Sequence, residues 1–339
     1  MKLIKTTDAV GHILCHDLTQ IIKDEYKGAR FKKGYIVKED DIPVLLSMGK
    51  EHLYVWEHTE GTLHENDAAL RLASICNGIN TSQSDVSEGK IELLSDIDGV
   101  VIIDTNLLYQ VNSVDEIMVA TVKSGMSVTK GQKLCGTRVI PLVISEDKIE
   151  EAEQICSDKK IVNVYPYINK TAGIITTGKE VFSGKIDDKF TPVVIEKLAE
   201  FGVDVIKHIT VDDKKENIVN AIKAMREADT DIILCTGGMS VDPDDNTPGA
   251  IKEFGANIIT YGAPVLPGAM FLLGYFEDGT PIVGLPGCVM YAKATVFDLA
   301  LPRIIAGIEM NKSDFVKMGE GGLCMSCDVC EYPKCPFGK

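Results

Sequence analysis

The chain has 339 residues, is 45% hydrophobic and 25% charged, and carries a formal net charge of -15 with a pI near 4.9. That length favours two or three domains, and the negative balance repels nucleic-acid backbones and anionic membranes. No apolar run approaches the roughly 20 residues that cross a bilayer, and the start Met1-Lys2-Leu3-Ile4-Lys5 lacks the apolar stretch of a signal peptide, so a cytoplasmic protein with neither nucleic-acid nor membrane partners is expected.

Residues 1–80 read as an N-terminal α+β region. Residues 29–34 have the composition of a turn, 39–48 that of a short helix stopped by Gly49, and Leu53-Tyr54-Val55-Trp56 that of a strand. A helix-like stretch from Thr59 fades into turn formers at residues 77–84, which read as a connector. Residues 88–145 read as a small β module, with β-type runs at 99–103 and 117–122 and glycines 125, 131 and 136 at turn spacing. Residues 125–134 resemble a hairpin of biotinyl or lipoyl barrel-sandwich domains without their Met-Lys carrier pair, so a structural role is expected.

After a charged helix at 146–157, apolar strands and amphipathic helices alternate: strand 173–176, helix 192–201, strand 203–206, helix 214–227, strand 231–235, runs 271–275 and 281–283, and a helix over 290–306. Near-continuous apolar strands between helices predict an α/β domain over residues 165–308, a doubly wound and mostly parallel sheet. Its ligand site is expected at the carboxyl ends of the strands.

Four loops fall at that edge. Thr176-Thr177-Gly178-Lys179-Glu180 follows the first strand, and Thr236-Gly237-Gly238-Met239-Ser240-Val241-Asp242-Pro243-Asp244-Asp245 follows the third. Pro264-Val265-Leu266-Pro267-Gly268 lies further on, and Leu285-Pro286-Gly287 is expected to open directly into a helix whose N-terminus would hold a phosphate. Glycine pairs let backbone N–H groups close on an anion, while Thr236 and Ser240 add hydroxyls. Asp242, Asp244 and Asp245 read either as ligands or as an acidic turn capping a helix at Thr247.

Thr-Thr-Gly-x-Glu, Thr-Gly-Gly-x-Ser-x(4)-Asp, Pro-Gly and Leu-Pro-Gly, in this order, resemble the molybdopterin-binding domain shared by molybdopterin molybdenumtransferases, gephyrin and the adenylyltransferases. Residues 8–17 and 31–34 resemble the start of the molybdenumtransferases as well. The resemblance implies transfer of molybdate into adenylylated molybdopterin with release of AMP, assisted by Mg²⁺. It implies Glu180, Asp188 and Asp245 as catalytic residues. It also implies that Thr177, Gly178, Thr236, Gly237, Gly238, Ser240, Pro267, Gly268, Pro286 and Gly287 bind the pterin. The chain departs from the family where Lys179 replaces an Asp, Lys189-Phe190 a Ser-Asn, Asp242 a Gly, and Cys288-Val289 an Asn-Pro.

Of ten cysteines, six are scattered in apolar stretches and read as small buried hydrophobes. Cys324, Cys327, Cys330 and Cys335 crowd a cysteine-rich tail at residues 319–339, where their spacing suits one metal centre, an iron–sulfur cluster or zinc. The tail is expected to be exposed and dispensable for the sheet domain. Three functions follow: a cofactor-maturing enzyme, a non-catalytic molybdopterin carrier or sensor, or, on the tail alone, an electron-transfer partner of a molybdoenzyme. The expected partners are the pterin, molybdate, a molybdoenzyme, and further copies of the chain in a homo-oligomer.

Overall fold

The computed structural model describes residues 2–22, 26–55, 60–240, 242 and 245–339. Among the residues named above, Met1, Trp56, Thr59, Val241, Pro243 and Asp244 lie outside that description. The chain divides into two compact units, one of Met1–Asp96, Ile103–Ser124 and Lys130–Val164, the other of Ile97–Ile102, Gly125–Thr129 and Tyr165–Lys339.

In the first unit, Lys2–Lys5 pairs with His52–Val55 and Leu18–Ile22 with Tyr26–Phe31, both antiparallel, around Leu14, Leu45 and Leu53. The expected turn at 29–34 is therefore strand as far as Phe31. Ladder bonds from a partner strand outweigh turn-like composition there, and the reversal is confined to Lys33 and Gly34, where φ is +83°. The strands Thr81–Gln83, Lys90–Ser95, Lys133–Val139 and Ile117–Thr121 form one antiparallel sheet in that order. Helix Glu65–Cys76 lays Ala69 and Ala73 on Ile91 of this sheet. A helix at Thr105–Asn112, absent from the sequence expectation, starts where the Asp104 carboxylate accepts the Leu107 N–H at 3.1 Å.

The second unit is built on a six-stranded sheet. Its elements are β1 (Thr171–Thr177), α1 (Phe190–Ala199), β2 (Asp204–Val211), α2 (Lys215–Glu227), β3 (Ile232–Thr236), α3 (Thr247–Glu253), β4 (Asn257–Tyr261), β5 (Leu272–Tyr275), β6 (Pro281–Leu285), α4 (Val296–Ile305) and α5 (Lys312–Lys317). The spatial order is β2-β1-β3-β6-β5-β4, with the first four parallel and β5 antiparallel to both β6 and β4. Alternate residues face opposite layers. Ala172, Ile174, Ile232, Leu234 and Val283 pack with α1 and α4, whereas Ile175, Ile233, Cys235 and Ile282 pack with α2 and α3. Every residue from Ala172 to Thr177 is buried, as a strand covered on both faces must be.

Two expectations about the late elements change. The helix predicted over 290–306 begins only at Val296, where Thr295 and Asp298 form a capping box. Pro286-Gly287 instead opens a short 3-10 turn, Gly287–Met290. The cysteine tail is not a free appendage either. Phe337 is only 3% exposed and belongs to the same core as α4, and the Tyr332 hydroxyl donates to the Asp298 carbonyl at 3.2 Å. Phe337→Ala should therefore lower the stability of the full chain by about 3 kcal/mol. Urea titration followed by circular dichroism checks this; an unchanged midpoint would mean that the tail contributes nothing to the core.

Candidate functional site

The register of the parallel strands fixes what lies at their ends. Thr176 pairs with Thr236 and Thr236 with Leu285, while Thr177 lies one step on, beside Val211. The loops after β1, β2, β3 and β6 therefore leave the sheet along one line. Leu272 pairs antiparallel with Gly284, which brings the loop carrying Pro267 and Gly268 to the same edge. All four glycine- or proline-bearing loops expected to bind the pterin thus share one side of the sheet.

Three glycines make the first two loops fit. Gly178 has φ +143° and donates its N–H to the Val211 carbonyl at 3.2 Å. At Gly237, with φ +82°, a Cβ would stand 2.2 Å from the Thr177 carbonyl oxygen, and at Gly238, with φ +56°, it would stand 2.7 Å from Thr247 Oγ1. No side chain is tolerated at either of these last two positions. The two loops are laced together by hydroxyls. Thr177 Oγ1 donates to the Thr236 carbonyl at 3.1 Å, and Thr247 Oγ1 to the Gly237 carbonyl at 3.0 Å. The Tyr261 hydroxyl lies 3.1 Å from the carbonyls of both Met239 and Ser240 and steadies the far end of the loop, where Ser240 itself is exposed.

One group in this lattice stands out. Thr236 Oγ1 is buried and has no hydrogen-bond partner among the described residues. Buried hydroxyls in folded proteins are nearly always paired, and an orphan of this kind calls for a partner from outside the chain.

The three carboxylates implied by the family sit in different settings. Asp188 Oδ1 accepts the N–H groups of Phe190 and Thr191 at 2.9 and 3.0 Å, and Oδ2 accepts the hydroxyls of Thr176 and Thr191 at 2.9 and 2.6 Å, so this side chain holds the start of α1. Burial alone would push its carboxyl up, but the bonds from Thr191, Thr176 and Phe190 together hold it below the usual range. His208 Nε2 lies 2.9 Å from Thr176 Oγ1 and joins this network. Neither His208 nor Thr191 is marked by a local motif; register and helix packing bring them here. Glu180 is exposed on the helical turn Lys179–Phe182. Asp245 Oδ2 accepts the Asp242 N–H at 3.1 Å, and among the described residues no side chain caps α3. Among the described residues no three His, Cys, Asp or Glu side chains converge on one ion.

Pro286 is buried and Gly287 exposed at the end of β6. The 3-10 turn that follows is a single turn without a capping side chain, so the expected phosphate site on a long helix N-terminus is replaced by the loop backbone alone. Lys179 opens the turn after Gly178, where its N–H donates to Asp213 Oδ2 at 2.9 Å.

Residues 173–306 match a family described as a probable molybdopterin binding domain, and residues 3–57 one described as a domain of unknown function. Among curated proteins, a CinA-like protein of Pseudothermotoga lettingae is 42% identical over 84 residues, or 25% of this chain and 20% of that protein. A CinA-like protein of Mycobacterium marinum is 33% identical over 88 residues, or 26% and 20%. The chain thus spans about a fifth of the length of these relatives. Among solved structures, the molybdopterin biosynthesis enzyme MoaB of Thermus thermophilus is 23% identical, with 42% of this chain and 98% of that chain covered at a TM-score of 0.34. The molybdopterin biosynthesis Mog protein of Mycobacterium ulcerans is 25% identical, with 40% and 91% covered at a TM-score of 0.33. The family match means that the resemblance expected from the four loops holds for the sheet-bearing segment.

Two outcomes test the site's geometry. Thr236→Val removes an unpaired buried hydroxyl without changing side-chain shape, so the ligand-free protein should be as stable as wild type or more so, by up to about 1 kcal/mol; a marked loss would mean that the hydroxyl is paired. Asp188→Ala should destabilise the chain by about 1 kcal/mol near neutral pH through loss of the α1 cap. Because the folded carboxyl ionises below its unfolded value, that contribution is complete above the ordinary carboxylate pKa of about 4 and is lost as pH falls through the lower folded value. Urea midpoints of the two proteins should accordingly converge in acid; a gap that stays constant with pH would show that charge plays no part.

Proposed function

We propose that this chain, whose residues 173–306 match the molybdopterin-binding family, binds adenylylated molybdopterin at the shared strand edge and transfers molybdate into it with release of AMP. The observation that carries the reading is the buried Thr236 hydroxyl, without a partner among the described residues, beside two glycines whose close approach to Thr177 and Thr247 admits no side chain. In this reading the Thr177-Gly178 and Thr236-Gly237-Gly238 loops, with Ser240, take up the phosphate end. Pro267-Gly268 and Pro286-Gly287 flank the ring system on the other side. Mg²⁺ needs only one or two protein carboxylates when phosphate oxygens complete its shell. Asp188 is committed to its helix cap, which leaves Asp245 and Glu180 to hold the cation. When bound, Mg²⁺ stabilises negative charge that develops as the phosphoanhydride breaks.

A second reading, a non-catalytic molybdopterin carrier or sensor, is favoured by the engagement of Asp188 in its own hydrogen-bond network, with no three-residue metal group among the described residues. The two readings differ in AMP release. A molybdoenzyme would receive the finished cofactor in either case. The cytoplasm and a homo-oligomeric state complete the proposal; among the described residues no helix is long and apolar enough to cross a membrane. The four tail cysteines are read as ligands of a metal centre, iron–sulfur or zinc, separate from the pterin.

Asp245→Asn should keep pterin affinity within a few fold and lose most AMP release, because a carboxylate on Mg²⁺ matters most when charge develops in the transition state. Calorimetry with adenylylated molybdopterin, run beside an AMP assay with molybdate and Mg²⁺, decides it. Tight binding by wild type without AMP would establish the carrier reading, and no binding would remove the site assignment.

A further inference from the structure

All four tail cysteines line a single cavity of about 210 Å³. Its other walls come from Pro267, from Ala292-Lys293-Ala294 beyond β6, and from Met325 and Tyr332. Both ends of the cysteine segment are pinned. The Leu266 N–H donates to the Gly322 carbonyl and the Cys324 N–H to the Leu266 carbonyl, each at 2.8 Å, and the Gly338 N–H donates to the Gly321 carbonyl at 2.9 Å. Within that frame Cys324 and Cys335 are half-buried, Cys327 and Cys330 are exposed, and none forms a disulfide.

The spacing of the thiols along the chain bears on the kind of metal centre. The four cysteines line one open space, and their segment is held by hydrogen bonds and by the buried Phe337. In an iron–sulfur cluster each thiolate binds a different iron, so its cysteines stand around the cluster without meeting at a common point. The spacing Cys324-x2-Cys327-x2-Cys330 followed by Cys335-Pro336 is close to a bacterial cluster run. Lys293 in the wall would offset the negative charge of a cluster bound by four thiolates.

We infer that Cys324, Cys327, Cys330 and Cys335 bind one polynuclear iron–sulfur cluster in this cavity, against Pro267 and the segment that follows β6. The inference rests on the reading of the tail as a metal centre and is independent of what the pterin edge does. The cavity shares Pro267 with that edge.

The test uses the full chain, purified without oxygen and reconstituted with ferrous iron and sulfide. About four irons and four sulfides per chain, with broad visible absorbance that dithionite bleaches, is the expected result. Cys327→Ser and Cys330→Ser, at exposed positions whose change leaves folding intact by circular dichroism, should each lose most of the iron, whereas Cys288→Ser, outside the cavity, should keep it. One tightly held zinc without sulfide would overturn the cluster and leave a metal centre. Failure to retain any metal, or iron retained in the Cys327→Ser, Cys330→Ser double variant, would overturn both.

Discussion

The candidate site depends on the hydrogen-bond register that ends β1, β3 and β6 in one row. The parallel strands β1, β2 and β3 are joined through helices and so exit on the same side, and β6, which follows β5 by a tight turn, runs parallel to β3 and ends there too. The register then determines which residues meet there: Thr176 beside Thr236, and Thr236 beside Leu285. A shift of one residue would turn Ile233 and Cys235 away from α2 and carry the loop glycines out of contact. The core therefore sets the site, because the apolar alternation that locks the register also fixes how closely the Gly237 backbone approaches Thr177.

Threonine suits the boundary between that core and the polar edge. Its branched side chain packs as Val does in a strand, yet its hydroxyl can meet a backbone carbonyl that no strand partner serves. Thr177 and Thr247 use their hydroxyls in this way to tie the two glycine loops, and Thr176 and Thr191 direct theirs to Asp188. Thr236 has the same chemistry and no such partner among the described residues.

The sheet domain was largely legible in the sequence because its strands are unbroken apolar runs such as Ile232-Ile233-Leu234-Cys235 and its loops carry glycine where only glycine fits. Expectation failed where structure depends on a distant partner. The strand at Tyr26–Phe31 looks like a turn until Leu18–Ile22 is beside it. The helix after Leu285-Pro286-Gly287 starts late because the Thr295–Asp298 capping box, not the glycine, nucleates it. The same limit applies to the site. The four loops could be placed on one edge from their order, but Asp188 looks like a free carboxylate in the sequence and becomes a helix cap only when Thr176 and Thr191 are brought to it. The tail's burial was hidden for a similar reason, since Phe337 has no periodic neighbours and acquires its core contacts only through the fold of β6 and α4.

A net charge of -15 is at first sight ill suited to an anionic ligand, and the resolution lies in distance. At physiological ionic strength charges more than about 8 Å apart are largely screened, so the global field is weak at the ledge and the nearest groups decide. Backbone N–H groups and a threonine hydroxyl carry dipoles without net charge. They need no counter-ion when the ligand is absent, and they strengthen as water is displaced and the local dielectric falls. A cluster of lysines would attract anions of every kind, including the many phosphates that the chain should ignore. Donors fixed in a concavity would accept only an anion whose shape reaches them. On this view the loops at the strand edge, and not the overall charge, would select the ligand.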